Sequence, residues 1–369
     1  MRILLLTSLP RGKTGNLYGG AEKTVINLAN WLHEHQLADI TLVSVAGNGK
    51  PYRINPGVSF HGNPVDSAAS KISVHFQMLR NTWNAVAQYK PDCIISFDTY
   101  AAFYALIHPI YGNIPMVYSL RNWHGAPIFS RIHNFMLQYI IKNARGIVFQ
   151  TSAVKNAFEE LSGADRIVIP NPVYVSAQEW PLCEQTDNRI VAVGRLAEQK
   201  NFGLLIDAFA DIHEQYPGIT LEIYGEGNLR TDLQTKIASM GLQAKVFLMG
   251  AFPDVQKRIY GARLFVLPSL YEGMTNALME AMSIGLPVIA SDCEGGGPRE
   301  LIVDGVNGFL FENNVQSSLI HAMKAVLDMD AKRLQRIRAA AQEICVTHSQ
   351  DRIFGQWRQF LDMLLHTTR

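Results

Sequence analysis

The chain has 369 residues, of which 48% are hydrophobic and 18% charged, so it is long enough for two domains and too apolar for a disordered protein. Its four cysteines are far apart in the sequence, which excludes a zinc knuckle or a disulfide framework and favours a reducing compartment. No run of about 18 apolar residues is present, so we expect no transmembrane helix.

The net charge of +1 conceals an uneven distribution. Residues 1–174 carry 15 Lys and Arg against 9 Asp and Glu, whereas the remainder carries 18 against 23. A basic first half joined to an acidic second half indicates an anionic partner on one side only. Chance drift in surface charge is the alternative.

The first half of the chain predicts a doubly wound parallel sheet. Residues 1–8 are almost entirely apolar after Arg2, as a central parallel strand should be. A glycine-containing loop follows, and then a helix is predicted over 21–35. Further strands, alternating with helices, are expected at 39–45, 92–97, 115–120, 146–150 and 166–169. The loop glycines do not follow the G-x-G-x-x-G spacing, which argues against a nicotinamide cofactor.

Two helices of this half combine apolar stripes with basic neighbours. The stripe over residues 71–90 consists of Ile72, Phe76, Leu79, Trp83 and Val86, and the helix over 130–145 carries Ile132, Phe135, Met136, Tyr139 and Ile140. Lys71, Arg80, Arg131, Lys142 and Arg145 lie among them. Such helices either lie on an anionic bilayer or pack on their own sheet, and the sequence leaves both interpretations open.

The second half repeats the alternation. Residues 1–172 form the first predicted domain, a polar stretch over 173–188 is a linker, and residues 189–351 form the second domain. Its strands are expected near 189–194, 219–224, 245–250, 264–268, 286–290 and 308–311. A closing helix over 352–365 places Ile353, Trp357, Phe360, Leu361 and Leu364 on one side.

Charged residues follow two strands of the second domain. Arg195 and Lys200 lie between a strand end and a helix, where two cations suit a diphosphate. Glu272 lies on the loop after 264–268, and Glu280 lies on the following helix, about 80° around from it in a fully helical spacing. Two carboxylates could therefore flank one elongated ligand. The alternative for both segments is a solvated polar loop.

Glycine clusters at 225–227 and 295–297 mark two more tight turns after strands of the same parallel sheet. The carboxyl ends of parallel strands meet at one edge, where open α/β sheets bind ligands. We therefore expect a phosphate-bearing ligand at this edge of the second domain.

These residues together resemble the glycosyltransferase family-four group. The resemblance rests on Gly194-Arg195-Leu196 with Lys200-Asn201, on the E-x7-E from Glu272 to Glu280 with its LMEAMSIGLPVIASD continuation, and on GGAE at 19–22. It covers nearly the whole chain. It implies an α/β GT-B fold, in which two Rossmann-like doubly wound domains face each other across a cleft and the C-terminal helix, here 352–369, crosses back to the first domain.

The resemblance implies a retaining glycosyltransferase that needs no metal or other cofactor and takes a hexose or N-acetylhexosamine from a nucleotide sugar, with UDP as the expected nucleotide. Arg195 and Lys200 match the residues that hold the donor diphosphate, Glu280 the one that binds the ribose, and Glu272 the one that contacts the transferred sugar. The expected donor site also includes Gly19, Gly20, Gly194, Gly273, Met274, Thr275 and Asn276.

The stretch YSLRNWHG departs from the family pattern, in which a histidine often follows this strand directly. Arg121 and Asn122 occupy that region, and His124 comes later; His124 either joins Glu272, Arg195 and Lys200 in catalysis or is structural. The run is similar to the branch that extends lipid-linked oligosaccharides. That similarity implies a lipid-linked saccharide acceptor for bacterial surface polysaccharide, lipopolysaccharide O-antigen or glycan assembly. The basic first half and its amphipathic helices further predict a cytoplasmic enzyme that is peripheral on the inner face of an anionic membrane, and we expect no nucleic-acid partner.

Two other functions fit the same sequence. One is a nucleotide-sugar epimerase or synthase acting on a soluble substrate, and the other is a non-catalytic sugar-binding protein. The sequence also leaves the mechanism of retention open, although no residue stands out as a covalent nucleophile.

Overall fold

The structure is a computed structural model that describes residues 1–9, 20–47, 53–66, 69–110, 113–121, 131–160, 163–175, 177–182 and 187–366. The chain divides into two compact units. Unit 1 consists of Met1–Pro172 and Asp351–Arg369, and unit 2 consists of Val173–Gln350.

The described strands of unit 1 form one parallel sheet with the order β3-β2-β1-β4-β5-β6-β7. Central strands such as CIIS of β4 are buried along their whole length, which is why the sequence shows them as continuous apolar runs. The strands are β1 (Arg2–Thr7), β2 (Asp39–Ser44), β3 (Ser59–Gly62), β4 (Cys93–Ser96), β5 (Met116–Ser119), β6 (Gly146–Phe149) and β7 (Asp165–Val168).

Five helices of unit 1 lie between these strands in the described part of the chain. They are α1 (Gly20–Glu34), α2 (Lys71–Tyr89), α3 (Thr99–Leu106), α4 (Arg131–Asn143) and α5 (Ser152–Asn156). Ser70 caps α2, and Asp98 caps α3 by accepting from the Ala101 amide at 2.8 Å. Helices α2, α3 and α4 pack side by side, because α3 contacts both of its neighbours.

The apolar stripes predicted for α2 and α4 are only partly buried. Helix α2 buries Met78, Thr82, Ala85 and Val86, whereas Ile72 and Phe76 of the predicted stripe are 83% and 65% exposed. Helix α4 buries Leu137, Ile140 and Ile141 and leaves Ile132 and Phe135 67% and 62% exposed. The first two turns of both helices therefore present large apolar side chains that the core does not cover.

The closing helix, defined below as α14, packs within unit 1, and its predicted buried side is confirmed. Ile353, Trp357, Phe360, Leu361 and Leu364 are all 4% exposed or less. Trp357 stacks on Phe97 with a ring distance of 5.7 Å. A Cβ on Gly146 would lie 2.6 Å from Leu364, so the absence of a side chain there lets the helix approach β6.

Unit 2 contains a second parallel sheet with the order β10-β9-β8-β11-β12-β13. Its strands are β8 (Arg189–Val193), β9 (Thr220–Tyr224), β10 (Val246–Gly250), β11 (Leu264–Leu267), β12 (Val288–Asp292) and β13 (Phe309–Glu312). Alternate residues enter different cores: Leu264 and Val266 join one cluster, Phe265 and Leu267 the other. Helices therefore cover both faces, as predicted.

The described helices from Phe202 onward complete the fold. They are α6 (Phe202–Ile212), α7 (Arg230–Ser239), α8 (Val255–Ile259), α9 (Asn276–Ser283), α10 (Gly297–Leu301), α11 (Gln316–Leu327), α12 (Ala331–Gln342), α13 (Ile344–Thr347) and α14 (Gln350–His366). The described part of the predicted linker groups with unit 2, where Trp180 packs on Tyr260 at a ring distance of 5.1 Å. Among the described residues, no helix has both the length and the apolar character needed to cross a bilayer.

Candidate active site

The site residues predicted in the second half follow two neighbouring strands at the centre of the unit 2 sheet. Strands β8 and β11 pair in parallel, with Leu264 beside Ile190. Strands β9 and β10 lie on one side of this pair and β12 and β13 on the other, so the order of strands reverses between β8 and β11. Ligands of open α/β sheets bind outside the carboxyl ends of strands at such a point. The loops over 194–201 and 268–275 begin there.

The structure joins two of the predicted site residues directly. The ammonium of Lys200 forms an ion pair with Oε1 of Glu272, and the two side chains are 15% and 8% exposed. The hydroxyl of Ser269 donates to the same oxygen at 2.7 Å. Lys200 is predicted to bind a diphosphate and Glu272 to contact a sugar. In this structure the charges of the two side chains neutralise each other. Loss of either partner would leave a buried charge without compensation.

Loops from three other strands hold the segment that carries Glu272. The Leu270 amide donates to the Gln199 carbonyl at 2.8 Å, and the Gln199 side chain donates to the Tyr271 carbonyl at 3.0 Å. Asn313 donates to the Leu270 carbonyl at 3.0 Å. The Glu272 amide donates to the carbonyl of Glu294, a residue that follows β12, at 2.9 Å. The carboxylate is thus carried by a backbone that is fixed from several sides.

The glycine clusters serve this packing between loops. A Cβ on Gly225 would lie 1.8 Å from the Gly194 carbonyl oxygen, and one on Gly297 would lie 1.8 Å from that of Gly273. Gly295 has φ +89° and would place a Cβ 2.1 Å from the Glu272 carbonyl oxygen. The sequence predicts tight turns at these glycines, at the sheet edge where a phosphate-bearing ligand is expected. In the structure they let one strand-end loop approach another.

Arg195 differs from Lys200 in its surroundings. Its side chain is exposed and makes no hydrogen bond or ion pair within the part of the chain that the structure describes. Gly194 precedes it, and a Cβ at Gly194 would lie 3.1 Å from the methylene stem of Lys200. The loop therefore offers one partly buried, paired cation and one exposed guanidinium.

Helix α9 carries the remaining residues of the predicted donor site. Thr275 is its N-cap, 4% exposed, and Asn276 is its first residue. Met274 is buried in the core beneath the loop. Glu280 lies in the second turn of the helix and is half-buried. The loop that carries Glu272 therefore leads directly into the helix that carries Glu280.

The Cys293 thiol lies near the Glu272 carboxylate but is not reactive. Burial and, to a smaller extent, the negative charge of Glu272 together raise the pKa of this thiol to about 12. Since the thiolate is the nucleophilic form, Cys293 stays inert near neutral pH. Among the residues that the structure describes, no group of three or more His, Cys, Asp or Glu is arranged to hold a metal ion.

Unit 1 fixes Arg121 at the carboxyl end of its own sheet. Its guanidinium donates to Asn171 at 2.5 Å and lies over the Phe97 ring, 4.5 Å from the ring centre. Asn122, His124 and Gly19 lie outside the described residues, whereas Gly20 is the first residue of α1. Arg121 is therefore the one residue of the predicted acceptor region whose surroundings the structure describes.

A polar cluster beside Arg121 was not foreseen from the sequence. Asp98 accepts from the Ser8 hydroxyl at 2.8 Å, and Thr99 is hydrogen-bonded to Tyr118 at 2.8 Å. Burial raises the pKa of Tyr118, which keeps its hydroxyl protonated. The sequence feature that could have indicated this cluster is the polar pair Asp98-Thr99, which follows strand β4 after Phe97.

Comparisons with known families cover most of the chain. Residues 179–343 match the family described as "Glycosyl transferases group 1". Residues 18–176 match the family described as "Glycosyltransferase Family 4". The loops over 194–201 and 268–275 lie within the first of these matches.

Two curated relatives are informative. The amylovoran biosynthesis glycosyltransferase AmsD of Erwinia amylovora is 29% identical over 352 residues, covering 93% of this chain and 96% of that protein. The N-acetylgalactosamine-N,N'-diacetylbacillosaminyl-diphospho-undecaprenol 4-alpha-N-acetylgalactosaminyltransferase of Campylobacter jejuni is 33% identical over 147 residues. That alignment covers 40% of this chain and 39% of the relative.

Among solved structures, HepE of Anabaena in complex with UDP aligns with a TM-score of 0.78. The two sequences are 20% identical, and the alignment covers 98% of this chain and 100% of HepE. At this identity the likeness shows the fold, and it confirms the predicted GT-B class of two Rossmann-like sheets.

Proposed function

The chain belongs to the family-four glycosyltransferases, and from this premise we propose that it is a retaining, metal-independent hexosyltransferase. In this proposal it moves a hexose or N-acetylhexosamine from a UDP-sugar to a lipid-linked saccharide during the assembly of a bacterial surface polysaccharide, such as a lipopolysaccharide O-antigen or another glycan. AmsD, named for amylovoran biosynthesis, supports the polysaccharide assignment. The undecaprenol in the Campylobacter name supports the lipid-linked acceptor.

One observation carries the donor side of this proposal. At the strand reversal between β8 and β11, two neighbouring loops carry an exposed cation, a partly buried cation and a buried carboxylate, which are Arg195, Lys200 and Glu272. A nucleotide sugar needs cations for its diphosphate and an acceptor of hydrogen bonds for the sugar hydroxyls. UDP bound to HepE supports the choice of nucleotide.

The proposed reaction breaks the bond between the anomeric carbon and the diphosphate and forms a bond from the acceptor oxygen to the same carbon. Arg195 and Lys200 stabilise the negative charge that develops on the departing UDP. For retention, the acceptor oxygen arrives on the face that UDP leaves, and its proton passes to the departing phosphate. Glu272 is held in an ion pair, which suits a residue that orients the sugar better than a nucleophile.

The other donor residues complete the proposal. Glu280 binds the ribose hydroxyls, and the backbone over 273–276 at the start of α9 faces the diphosphate. Gly19 and Gly20 belong to the loop proposed to close over the phosphates. The proposal also assigns His124 as a fourth catalytic residue and places Arg121, Asn122 and His124 in the acceptor region.

The acceptor side of the proposal is supported by helices α2, α3 and α4 of unit 1. Their sequences contain Lys71, Arg80, Arg131 and Lys142 and no Asp or Glu. Exposed apolar side chains lie on the first two turns of α2 and α4, which also carry Lys71 and Arg131. Cations beside exposed apolar groups suit an anionic bilayer. We propose that the enzyme is cytoplasmic and docks peripherally on the inner face of the membrane through these helices.

The test of the proposed function is a donor screen. The purified protein is incubated with a panel of UDP-sugars and other nucleotide sugars, with and without a bacterial membrane lipid extract, and nucleotide release and labelled lipid are measured. We expect one sugar class to be transferred to lipid, with slow hydrolysis when the extract is omitted. Conversion of the donor sugar without transfer would favour an epimerase or synthase. Donor binding with no turnover under any condition would favour a sugar-binding protein.

A further inference from the structure

Ser269 occupies an unusual position beside the Glu272 carboxylate. It follows β11 by two residues, and its side chain is 0% exposed. Its hydroxyl donates to Oε1 of Glu272 at 2.7 Å, and Lys200 contacts the same oxygen. Within the described part of the chain, Oε2 of Glu272 accepts no hydrogen bond. The protein therefore contacts one oxygen of this carboxylate, Oε1, through two side chains and leaves the other, Oε2, without a hydrogen bond from the described residues.

We propose that Ser269 is a positioning residue for the transferase reaction. It commits Oε1 of Glu272 to the protein and thereby presents Oε2 to a hydroxyl group of the donor sugar. This inference rests on the proposed function, since it assigns the free oxygen to the sugar of a nucleotide-sugar donor.

Lys200 cannot supply this orientation by itself. A lysine ammonium is a point charge on a flexible stem, so it attracts a carboxylate without fixing the rotation of its plane. The same cation is also proposed to meet the donor diphosphate, whose charge competes with Glu272 for it. Ser269 has a short side chain, and hydrogen bonds fix the backbone beside it. The next residue, Leu270, donates to the Gln199 carbonyl and accepts from the Asn313 side chain. The hydrogen bond of Ser269 can therefore persist when Lys200 turns toward a phosphate.

The first experiment compares Ser269→Ala with a matched control, Ser283→Ala, using the full chain and the donor sugar found by the screen. Ser283 is also 0% exposed in unit 2, but its hydroxyl donates to the Glu280 backbone carbonyl at 2.8 Å inside α9. We expect Ser269→Ala to lower kcat/KM for donor turnover by up to about 100-fold, as small displacements in a reacting site do. The Kd of UDP should stay within about twofold of the parent, because UDP has no sugar for Glu272 to bind. Equal losses of turnover in both variants would overturn the proposal.

A double-mutant cycle separates positioning from a general packing role. In a Glu272→Gln background, Ser269→Ala should lower kcat/KM by less than about threefold, since a residue that acts through another loses its effect when that partner is changed. A full additional loss would show that Ser269 acts independently of Glu272 and would overturn the proposal.

Crystal structures of the parent and of Ser269→Ala test the inference without any turnover. We expect one orientation of the Glu272 carboxylate in the parent and a rotated or divided orientation in the variant. An unchanged carboxylate in the variant would overturn the positioning role even if the protein is a transferase. A parent that turns over no nucleotide sugar would overturn the proposed function and, with it, the role of Oε2 at a donor sugar, whereas the crystal structures would still report whether Ser269 orients Glu272.

Discussion

The two units contain the same kind of parallel sheet but present different chemistry to their surroundings. Unit 2 carries 15 Lys and Arg against 21 Asp and Glu, and its predicted site pairs a lysine with a buried glutamate. Unit 1 carries 18 Lys and Arg against 11 Asp and Glu and exposes large apolar side chains on two helices. A fixed, charge-balanced site suits a small anionic donor, whereas a basic, partly apolar surface suits a membrane with a lipid-linked acceptor.

The largest effect on turnover and stability is expected from breaking the Lys200–Glu272 ion pair of unit 2, whose glutamate is buried. Lys200→Met should lower kcat/KM for donor turnover by about 100- to 1000-fold, because a group that stabilises the leaving phosphate is lost. It should also lower the free energy of unfolding by about 3–5 kcal/mol, since Glu272 is left buried and unpaired. Urea denaturation measures the second effect. Adding Glu272→Gln should recover part of the stability, and a double variant as unstable as the single one would contradict the pairing.

The next effect concerns the packing between strand-end loops of unit 2. Gly297→Ala places a methyl group 1.8 Å from the Gly273 carbonyl oxygen, and it should lower the free energy of unfolding by about 3 kcal/mol. Gly203→Ala in α6 is the control, because its Cβ would meet no atom within 4 Å, and it should be neutral or stabilising by about 0.5–1 kcal/mol. Similar thermal stabilities for the two variants would show that the loops are not closely packed.

Donor binding is expected to weaken through two separate groups. Arg195→Ala and Glu280→Ala should each reduce the affinity for UDP by about 1.5–3 kcal/mol, the value of a charge-assisted hydrogen bond. Titration calorimetry with UDP measures both. Because Arg195 makes no ion pair with the described residues, its variant should keep the unfolding free energy of the parent. Unchanged UDP affinity in both variants would place the donor elsewhere.

The smallest effects per substituted residue are expected on membrane binding by the helices of unit 1. Each Lys or Arg near an anionic surface contributes about 1 kcal/mol. Arg131 and Lys142 of α4 and Arg145, two residues after the helix, changed together to glutamate should therefore abolish sedimentation with anionic vesicles. A second variant, with Ile72, Phe76, Ile132 and Phe135 changed to serine, tests the apolar contribution. Both variants should retain hydrolysis of the donor. If both sediment with vesicles as the parent does, these helices are not the docking surface.

The sequence predicted the parts of the fold that follow from local patterns. The strand predicted at 264–268 is observed at Leu264–Leu267, because a fully buried strand is a continuous apolar run. The edge strand β3 was missed, since SFHG is half-exposed. A helix was expected between the strands at 92–97 and 115–120, but its bounds were not predicted, since TYAAFYAL is too uniformly apolar to show a helical period.

The geometry of the candidate site was less predictable because its contacts join distant parts of the chain. Lys200 and Glu272 are 72 residues apart, and no local pattern reveals that they pair. From the sequence, Ser269 is predicted only to end a strand, and nothing indicates its contact with Glu272. The clusters around Gly225 and Gly297 were correctly read as tight turns, but the backbone that each glycine approaches belongs to another loop.

Hydrogen–deuterium exchange of the full chain tests most directly the claim that unit 2 binds the donor and unit 1 meets the membrane. On addition of UDP, we predict slower exchange of the amides over 194–201 and 268–276, with no change over 71–80 and 131–136. On addition of anionic vesicles alone, we predict slower exchange over 71–80 and 131–136 and no change over 194–201 and 268–276. Protection by UDP confined to the helices of unit 1, with the loops of unit 2 unchanged, would contradict the account.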